Sequence, residues 1–301
     1  MNGPDFQAFD SLRPLMFSIA YRMLGTASDA EDVVQDAWIR YASAPHENLR
    51  SSKAWLTTVV TRLCLDRLKS SRATREEYVG PWLPEPVLTS AEERPDAMLQ
   101  RHESVTLAFL VLLETLSPEE RAVFLLKEVF DYSHDEIGEM LQMTPANARQ
   151  LLHRAKERVA ERRPRFSGDP EAKRNTAKRF VAALTANDAS ALTQLLAEDV
   201  GFWGDGGGKV TAARRPLHGR DAVLNLLLGL HRIVRAQGLV PSISFEMVDV
   251  NFEPALVVRV AGRLDSIYAL SIAGEGIDAI RVVRNPDKLA FIERQLTTRV
   301  H

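Results

Sequence analysis

Apolar and polar positions along the chain fall into three stretches with different periods. Up to about residue 75 the apolar residues recur at helical spacing. Phe9, Leu12, Leu15, Met16, Ile19, Ala20 and Met23 form one stripe, and Gly25 follows as a glycine stop. Ser28 and Glu31 have the spacing of a capping box and open a second helix, on which Val33, Val34, Ala37, Trp38 and Tyr41 share a face. A loop over residues 43–52 precedes a third helix with Leu56, Val59, Val60, Leu63 and Leu68 inward. Cys64 lies in that stripe and reads as core filling.

The period is lost over residues 76–104, where Pro81, Pro84, Pro86 and Pro95 forbid a long helix. It returns at Ser117, which with Glu120 makes a second capping box before Val123, Phe124, Leu125 and Val129. Ser133 and Glu136 make a third, leading a short helix with Ile137, Met140 and Leu141 on one face. Met143 closes a turn. Thr144 caps the next helix, Pro145 takes its first position, and Ala148, Leu151, Leu152, Ala155 and Val159 point inward. A short helix, a tight turn and a second helix make a helix-turn-helix, the arrangement that presents side chains to a DNA major groove.

From residue 171 the pattern changes again. Helices are expected over 172–187 and 189–199, then a glycine-rich loop over 200–210, then a long helix over 220–237. The period then drops to two. Ile243, Phe245 and Met247 alternate and the pattern slips to Val248, Val250 and Phe252, so a β-bulge is expected near Met247. Strands over 256–260, 266–272 and 277–283 complete a meander. The fold class is therefore multidomain. A helical bundle over 1–75 and a helix-turn-helix domain over 105–166, both all-α, flank a linker over 76–104. An α+β domain, helices on a curved sheet, occupies 170–301.

Length supports this division, since 301 residues allow two or three domains. Charge adds what the pattern cannot. The chain is near neutral at −2, but residues 149–165 carry seven basic and two acidic side chains, a net +5. Residues 62–75 carry +4, and 76–103 carry −5. Clustered basic residues on a helix-turn-helix are the footprint of a phosphate-contacting surface. The acidic linker belongs off DNA, in a basic channel of a partner, with Trp82 and Leu83 as its apolar anchors. The second helix starts with Asp29, Glu31, Asp32, Gln35 and Asp36, acids that also suit the helix dipole. No basic leader opens the chain and no run approaches ~20 apolar residues, so no membrane span and a cytoplasmic location are expected. No histidine pair has ligand spacing, and a single cysteine makes no cluster, so neither metal nor cofactor is expected. The glycine loop Asp205, Gly206, Gly207, Gly208 and Lys209 fails as a phosphate loop, because Trp203 and Val210 stand where glycine and a hydroxyl residue are required.

With these residues in view, the first two domains resemble the extracytoplasmic-function sigma factors of bacterial RNA polymerase. The likeness runs over about residues 6–165, through the stretches 13–25, 29–41, 54–68 and 116–159. The third domain resembles the SnoaL-like, nuclear-transport-factor-2-like fold, which one sigma subgroup carries C-terminally. That subgroup's three motifs are here Trp82, Leu83, Pro84, Glu85, Pro86 in the linker, Asp205 to Lys209, and Asn285, Pro286, Asp287, Lys288, Leu289. The resemblance implies that Asp29, Glu31, Asp32, Gln35 and Asp36 dock on core RNA polymerase. It implies that His46, Asn48, Arg50, Lys53, Trp55, Arg62 and Arg67 open and read the promoter's −10 element, where flipped bases need a pocket and stacking. It further implies that Thr144, Asn147, Arg149, His153, Arg154, Lys156 and Arg158 serve the −35 element. Of these, Asn147, Arg149 and His153 lie nearest the bases, and Arg154, Lys156 and Arg158 lie at phosphates. Relatives often carry Asn where Arg62 stands, and Val and Arg where Ala148 and Leu151 stand, so base preference does not transfer.

For the third domain the resemblance favours a cis regulator that packs on the sigma core, contacting it through the linker and the two later motifs. A small-molecule sensor lined by Phe202, Trp203, Phe245 and Tyr268, and an acid–base enzyme using Asp205, His218, His231 and Asp249, are the alternatives. For the whole chain the expectation is a non-enzymatic initiation factor. The competing reading is a stand-alone DNA-binding regulator with a ligand-sensing or cyclase-like C-terminal domain.

Overall fold

A computed structural model describes residues 4–45, 49, 51–70, 77–89, 105–160, 169–274 and 276–299. The chain forms two compact units, one of Met1–Glu76 with Phe109–Arg163, the other of Glu77–Ala108 with Pro164–His301.

In the first unit, α1 (Pro4–Leu24) ends at Gly25, whose φ of 72° is open to glycine at little cost. That handover comes early enough for Thr26, rather than Ser28, to precede α2 (Ala27–Ala42). The Thr26 hydroxyl donates to the Asp29 carboxylate, and Ser28 lies inside the first turn, so the expected capping box there does not form. In α3 (Ser52–Ser70) the inward stripe is wider than expected, since Thr57 and Thr61 are buried with Leu56, Val60, Leu63 and the expected Cys64. Burial pushes the Cys64 thiol up, which keeps it protonated and unreactive.

The helix-turn-helix follows α4 (Leu107–Leu113) and α5 (Pro118–Phe124). Ser117 and Glu120 form the expected capping box, and α5 runs on into a π turn over Leu125–Val129. Ser133 and Glu136 form the next, at the start of α6 (His134–Leu141). Thr144 accepts the Asn147 amide at 3.2 Å to cap α7 (Pro145–Ala160), which buries the five expected apolar residues. Gly138 makes the turn possible: a Cβ there would stand 2.7 Å from the Met143 carbonyl oxygen.

The bundle and the helix-turn-helix are one unit because polar side chains bridge them. The Arg121 Nη1 donates to the Met23 carbonyl and to Glu114 Oε1, each at 2.7 Å, with the arginine almost fully buried. Thr57 and Tyr132 share a buried hydrogen bond of 2.9 Å.

The second unit opens with the linker. Its residues Leu88–Thr89 form β1, an edge strand paired antiparallel to β4. Then come α8 (Pro170–Ala186), α9 (Ala189–Leu195), β2 (Leu196–Asp205), β3 (Leu217–His218), α10 (Arg220–Ala236), β4 (Ile243–Val250), β5 (Glu253–Val260), β6 (Arg263–Ala273), β7 (Gly276–Val283) and α11 (Pro286–Arg299). The sheet order is β1-β4-β5-β6-β7-β2-β3, antiparallel except for β2 beside β7. Phe180, Leu192, Phe202, Val223, Leu227, Leu256, Leu270 and Ile280 fill the space between helices and sheet. This is the α+β arrangement, helices on a curved sheet, that the sequence pattern predicts.

Two expectations for this unit are corrected. Residues 196–205 are a strand, and its glycines are there for close approach: a Cβ on Gly201 would meet the Trp203 ring at 2.2 Å. No bulge interrupts β4, which pairs with β5 in unbroken register from Ile243 to Val250. Its last three residues are all buried, so apolar residues are tolerated on both faces and the pattern slips without an insertion. The register shifts of the sheet lie instead at Val258/Arg259, at Ser271/Ile272 and, in β2, between Leu196 and Gly201. Asn285, Pro286 and Asp287 are turn residues by type, and here their turn opens a helix. The Asn285 Oδ1 accepts the Asp287 amide at 3.1 Å and proline takes the first position.

Arg121→Ala removes the buried donor shared by Met23 and Glu114. Loss of one partner of such a pair costs about 3 kcal/mol. Urea unfolding of the full chain should show the first unit melting at lower urea with the second unchanged; coincident curves for wild type and variant would contradict this.

Candidate functional site

The acidic start of α2 is an exposed face. Glu31, Asp32 and Gln35 point to solvent, and Asp36 is half-buried. Arg67, expected at DNA, lies against this face instead. Its Nη1 stands 3.3 Å from Asp29 and 3.5 Å from Asp32, and its Nη2 3.3 Å from Asp36. These are exposed pairs and individually weak.

Of the residues expected at the −10 element, His46, Asn48 and Arg50 lie outside the described residues. Lys53 is exposed. Trp55 is half-buried against Tyr41 with ring centroids 5.8 Å apart, and Tyr41 donates its hydroxyl to Ser52 at 2.9 Å. Arg62 is engaged elsewhere. Its Nε donates to the Met140 carbonyl at 2.8 Å, in the last turn of α6, where a cation also suits the helix dipole.

On α7, Asn147 and Arg149 are exposed. His153 pairs with Glu157 at 3.5 Å and Lys156 with Glu128 at 2.9 Å. Arg154 and Arg158 both turn to Glu120, at 3.4 and 2.6 Å. The wheel pattern that puts these basic residues on the surface is correct. What it could not reveal is that each of Arg154, Lys156 and Arg158 has a carboxylate partner from a preceding element.

In the second unit the linker and the two later motifs meet around Asp205, which is fully buried. Its Oδ2 accepts the Leu83 amide at 2.9 Å and the Lys288 ammonium at 2.6 Å. Its Oδ1 accepts the Tyr78 hydroxyl at 2.6 Å and the Gly207 amide at 3.0 Å. Burial, with Asp205 adding to it, pushes the Tyr78 phenol up, so it remains a donor. The Lys288 ammonium also donates to the Leu83 carbonyl and sits 4.2 Å from the Trp82 ring centre and 4.8 Å from that of Tyr78. Asn285 Nδ2 reaches the Tyr78 hydroxyl at 2.9 Å. Pro84, Glu85 and Pro86 are buried. Farther along, Val87 and Asn251 exchange hydrogen bonds of 3.1 and 2.9 Å, and Gln295 accepts the Leu88 amide at 2.8 Å. Outside the buried pair, Lys209 and Asp287 form an exposed one at 2.5 Å, and Leu289 is buried. Gly206 to Gly208 allow this approach: Gly207 has φ 58°, and a Cβ there would stand 2.3 Å from Asn285 Nδ2.

Sequence reasoning found both motif ends but missed Tyr78, Asn251 and Gln295. A tyrosine four residues before the linker tryptophan was the available sign.

Several residues of the two alternative C-terminal readings are already engaged in core packing or ion pairs. Phe202 is core, while Trp203 packs edge-on to His218 at 5.5 Å and under the Arg281 guanidinium at 5.1 Å. Phe245 and Tyr268 are half-buried. Asp205 is held by the linker contact, Asp249 is paired with Arg174, and His218 and His231 lie on other elements. Among the described residues no set of His, Cys, Asp and Glu could hold a metal ion, and no helix is long and apolar enough to cross a membrane.

Two family models match the chain: Sigma-70 region 2 over residues 8–74 and Sigma-70 region 4 over 106–159. The ECF RNA polymerase sigma factor SigJ of Mycobacterium tuberculosis is 42% identical over 224 residues, 74% of this chain and 72% of that protein. This chain belongs to the extracytoplasmic-function sigma factors. The probable ECF sigma factor SigI of the same species is 29% identical over 300 residues, 98% of each sequence. The crystal structure of M. tuberculosis SigJ superposes with a TM-score of 0.76 at 35% identity, covering 95% of this chain and 98% of that one. In this sigma factor, α1–α3 are therefore region 2 and α4–α7 region 4.

Two outcomes follow for the sigma factor's second unit. Lys288→Met leaves the Asp205 carboxylate buried without its cation, a loss of about 3 kcal/mol or roughly a hundredfold in opening of the linker. Chymotryptic cleavage after Tyr78 or Trp82 should accelerate accordingly; equal cleavage rates would show that the pair does not hold the linker. Separately, burial pushes Glu253 from its ordinary 4.5 up to about 7, against the attraction of Arg281 and Lys173. The folded carboxyl binds its proton more tightly than the unfolded one. Stability from this group is full below about pH 4.5 and is lost as pH rises to about 7, by up to about 3 kcal/mol. Glu253→Gln should flatten that decline in thermal melts of the second unit, and parallel pH profiles would refute it.

Proposed function

We propose that this sigma factor joins core RNA polymerase through the acidic face of α2 and is regulated in cis through its linker. Membership of the family makes it a promoter-specificity factor rather than an enzyme or a stand-alone regulator, working in the cytoplasm where its polymerase is. Residues 43–52 and the exposed side of α3, with Lys53 and Trp55, serve the −10 element in this reading. α7 serves the −35 element, with Asn147, Arg149 and His153 toward the bases.

The observation that carries the regulatory part is the capture of residues 78–89 by Asp205, Asn251, Lys288 and Gln295. These residues belong to the segment that joins region 2 to region 4. An acidic connector suits a basic channel of the polymerase, and it cannot occupy that channel and the Asp205 site together. The C-terminal unit thereby competes with polymerase for the linker. The small-molecule reading has no comparable support.

Run-off transcription with core polymerase tests both parts. The full chain should yield promoter-specific transcripts, and Lys288→Met should change their amount while leaving core binding intact. Identical transcription by both would remove the cis regulation. Asp32→Lys with Asp36→Lys should abolish core binding, and unchanged affinity would sink the docking assignment.

A further inference from the structure

We infer that Glu120 withholds two arginines of the recognition helix from the DNA backbone and so sets how strongly promoter binding depends on sequence rather than on phosphate charge. This rests on the reading of α7 as the helix that enters the −35 major groove. Glu120 is 3% exposed. Its Oε2 accepts the Ser117 amide at 3.0 Å and the Arg158 Nη1 at 2.6 Å, and its Oε1 stands 3.4 Å from the Arg154 Nε. Arg154 and Arg158 are one turn apart on the same flank of α7, and about half of each side chain remains exposed. Their charge is thus near the surface but committed to a buried carboxylate.

An arginine that left Glu120 for a phosphate would abandon a buried charge, which is strongly unfavourable. The other basic residues of α7 differ. Lys156 pairs with the exposed Glu128, and Arg149 has no ion pair among the described residues. Arg149 therefore brings its full charge to DNA, whereas Arg154 and Arg158 bring theirs already largely neutralised. Phosphate contacts add affinity without sequence information. Holding two of them back leaves a larger share of the binding free energy to residues at base edges.

The sequence supplies a clean test, because glutamine also completes a capping box. Glu120→Gln keeps the cap and the side-chain size and removes only the charge. Holoenzyme reconstituted with the full chain is titrated against a promoter fragment recovered by the run-off assay, from about 50 to 200 mM salt. Each freed arginine adds about 0.9 to the slope of log affinity against log salt. Glu120→Gln is expected to steepen that slope by up to about 1.8, a further loss of about four- to twelvefold across the range. It should also narrow the preference for the promoter over a duplex with a scrambled −35 element. The double variant Glu120→Gln, Arg158→Gln replaces the strong pair by a neutral hydrogen-bonding one and should fall between wild type and single variant, about 0.9 steeper than wild type. A merely structural role would lower affinity at every salt concentration with unchanged slope. Equal slopes in all three proteins would overturn the inference while leaving the sigma reading intact; failure of every holoenzyme, wild type included, to bind the promoter would overturn both.

Discussion

Two buried charges organise the second unit. The Asp205 carboxylate is fully buried and the Lys288 ammonium nearly so. Such a pair survives burial only if its remaining hydrogen-bonding capacity is met. Here much of that capacity is met by the linker: the Leu83 amide and carbonyl, the Tyr78 hydroxyl and the Trp82 ring. The glycines at 206–208, the proline start of α11 and the edge strand β1 all serve the same closure. The C-terminal cone is therefore incomplete without a segment that belongs, in chain order, between the two DNA-facing regions. Regulation of a sigma factor by its own C-terminal domain then needs no signal relayed through the fold. It needs only that one strap be held or released.

A second theme is that basic residues are engaged within the protein before any DNA arrives. Arg67 faces the acids of α2, Arg62 caps the last turn of α6, and Arg154 and Arg158 share Glu120. Net charge along a segment overstates the charge available to a phosphate. The exposed pairs at Arg67 give way at little cost in water, whereas those at Glu120 do not, because their carboxylate is buried.

What was legible in the sequence was local. Capping boxes at Ser117 and Ser133 and the Thr144 cap are decided within four residues, and all three are present. The inward face of α7 follows from a single period. What failed depended on packing, near or far in sequence, or on a competing local signal, as where Thr26 precedes the second helix in place of Ser28. Gly201 looked like a loop residue but is required by the Trp203 ring lying over it. The apolar slip after Met247 looked like an inserted residue, yet it records a strand end buried on both faces. Asn285 and Pro286 carry helix-start chemistry as readily as turn chemistry, and the spacing of Leu289, Ile292 and Leu296 would have decided between them. The Glu120 pairing and the Asn251 and Gln295 contacts with the linker bridge residues tens to hundreds of positions apart, which no periodicity encodes.

Hydrogen exchange at the linker amides, compared between the free sigma factor and the holoenzyme, tests the competition for the linker most directly. Amides of Leu83, Val87 and Leu88 are hydrogen-bonded to Asp205, Asn251 and Gln295 and should be protected in the free chain. Faster exchange at these three positions on assembly with core polymerase, with the sheet of the second unit still protected, is the expected result. Unchanged protection in a transcribing holoenzyme would mean that the C-terminal unit keeps the linker throughout, and the account of cis control would be wrong.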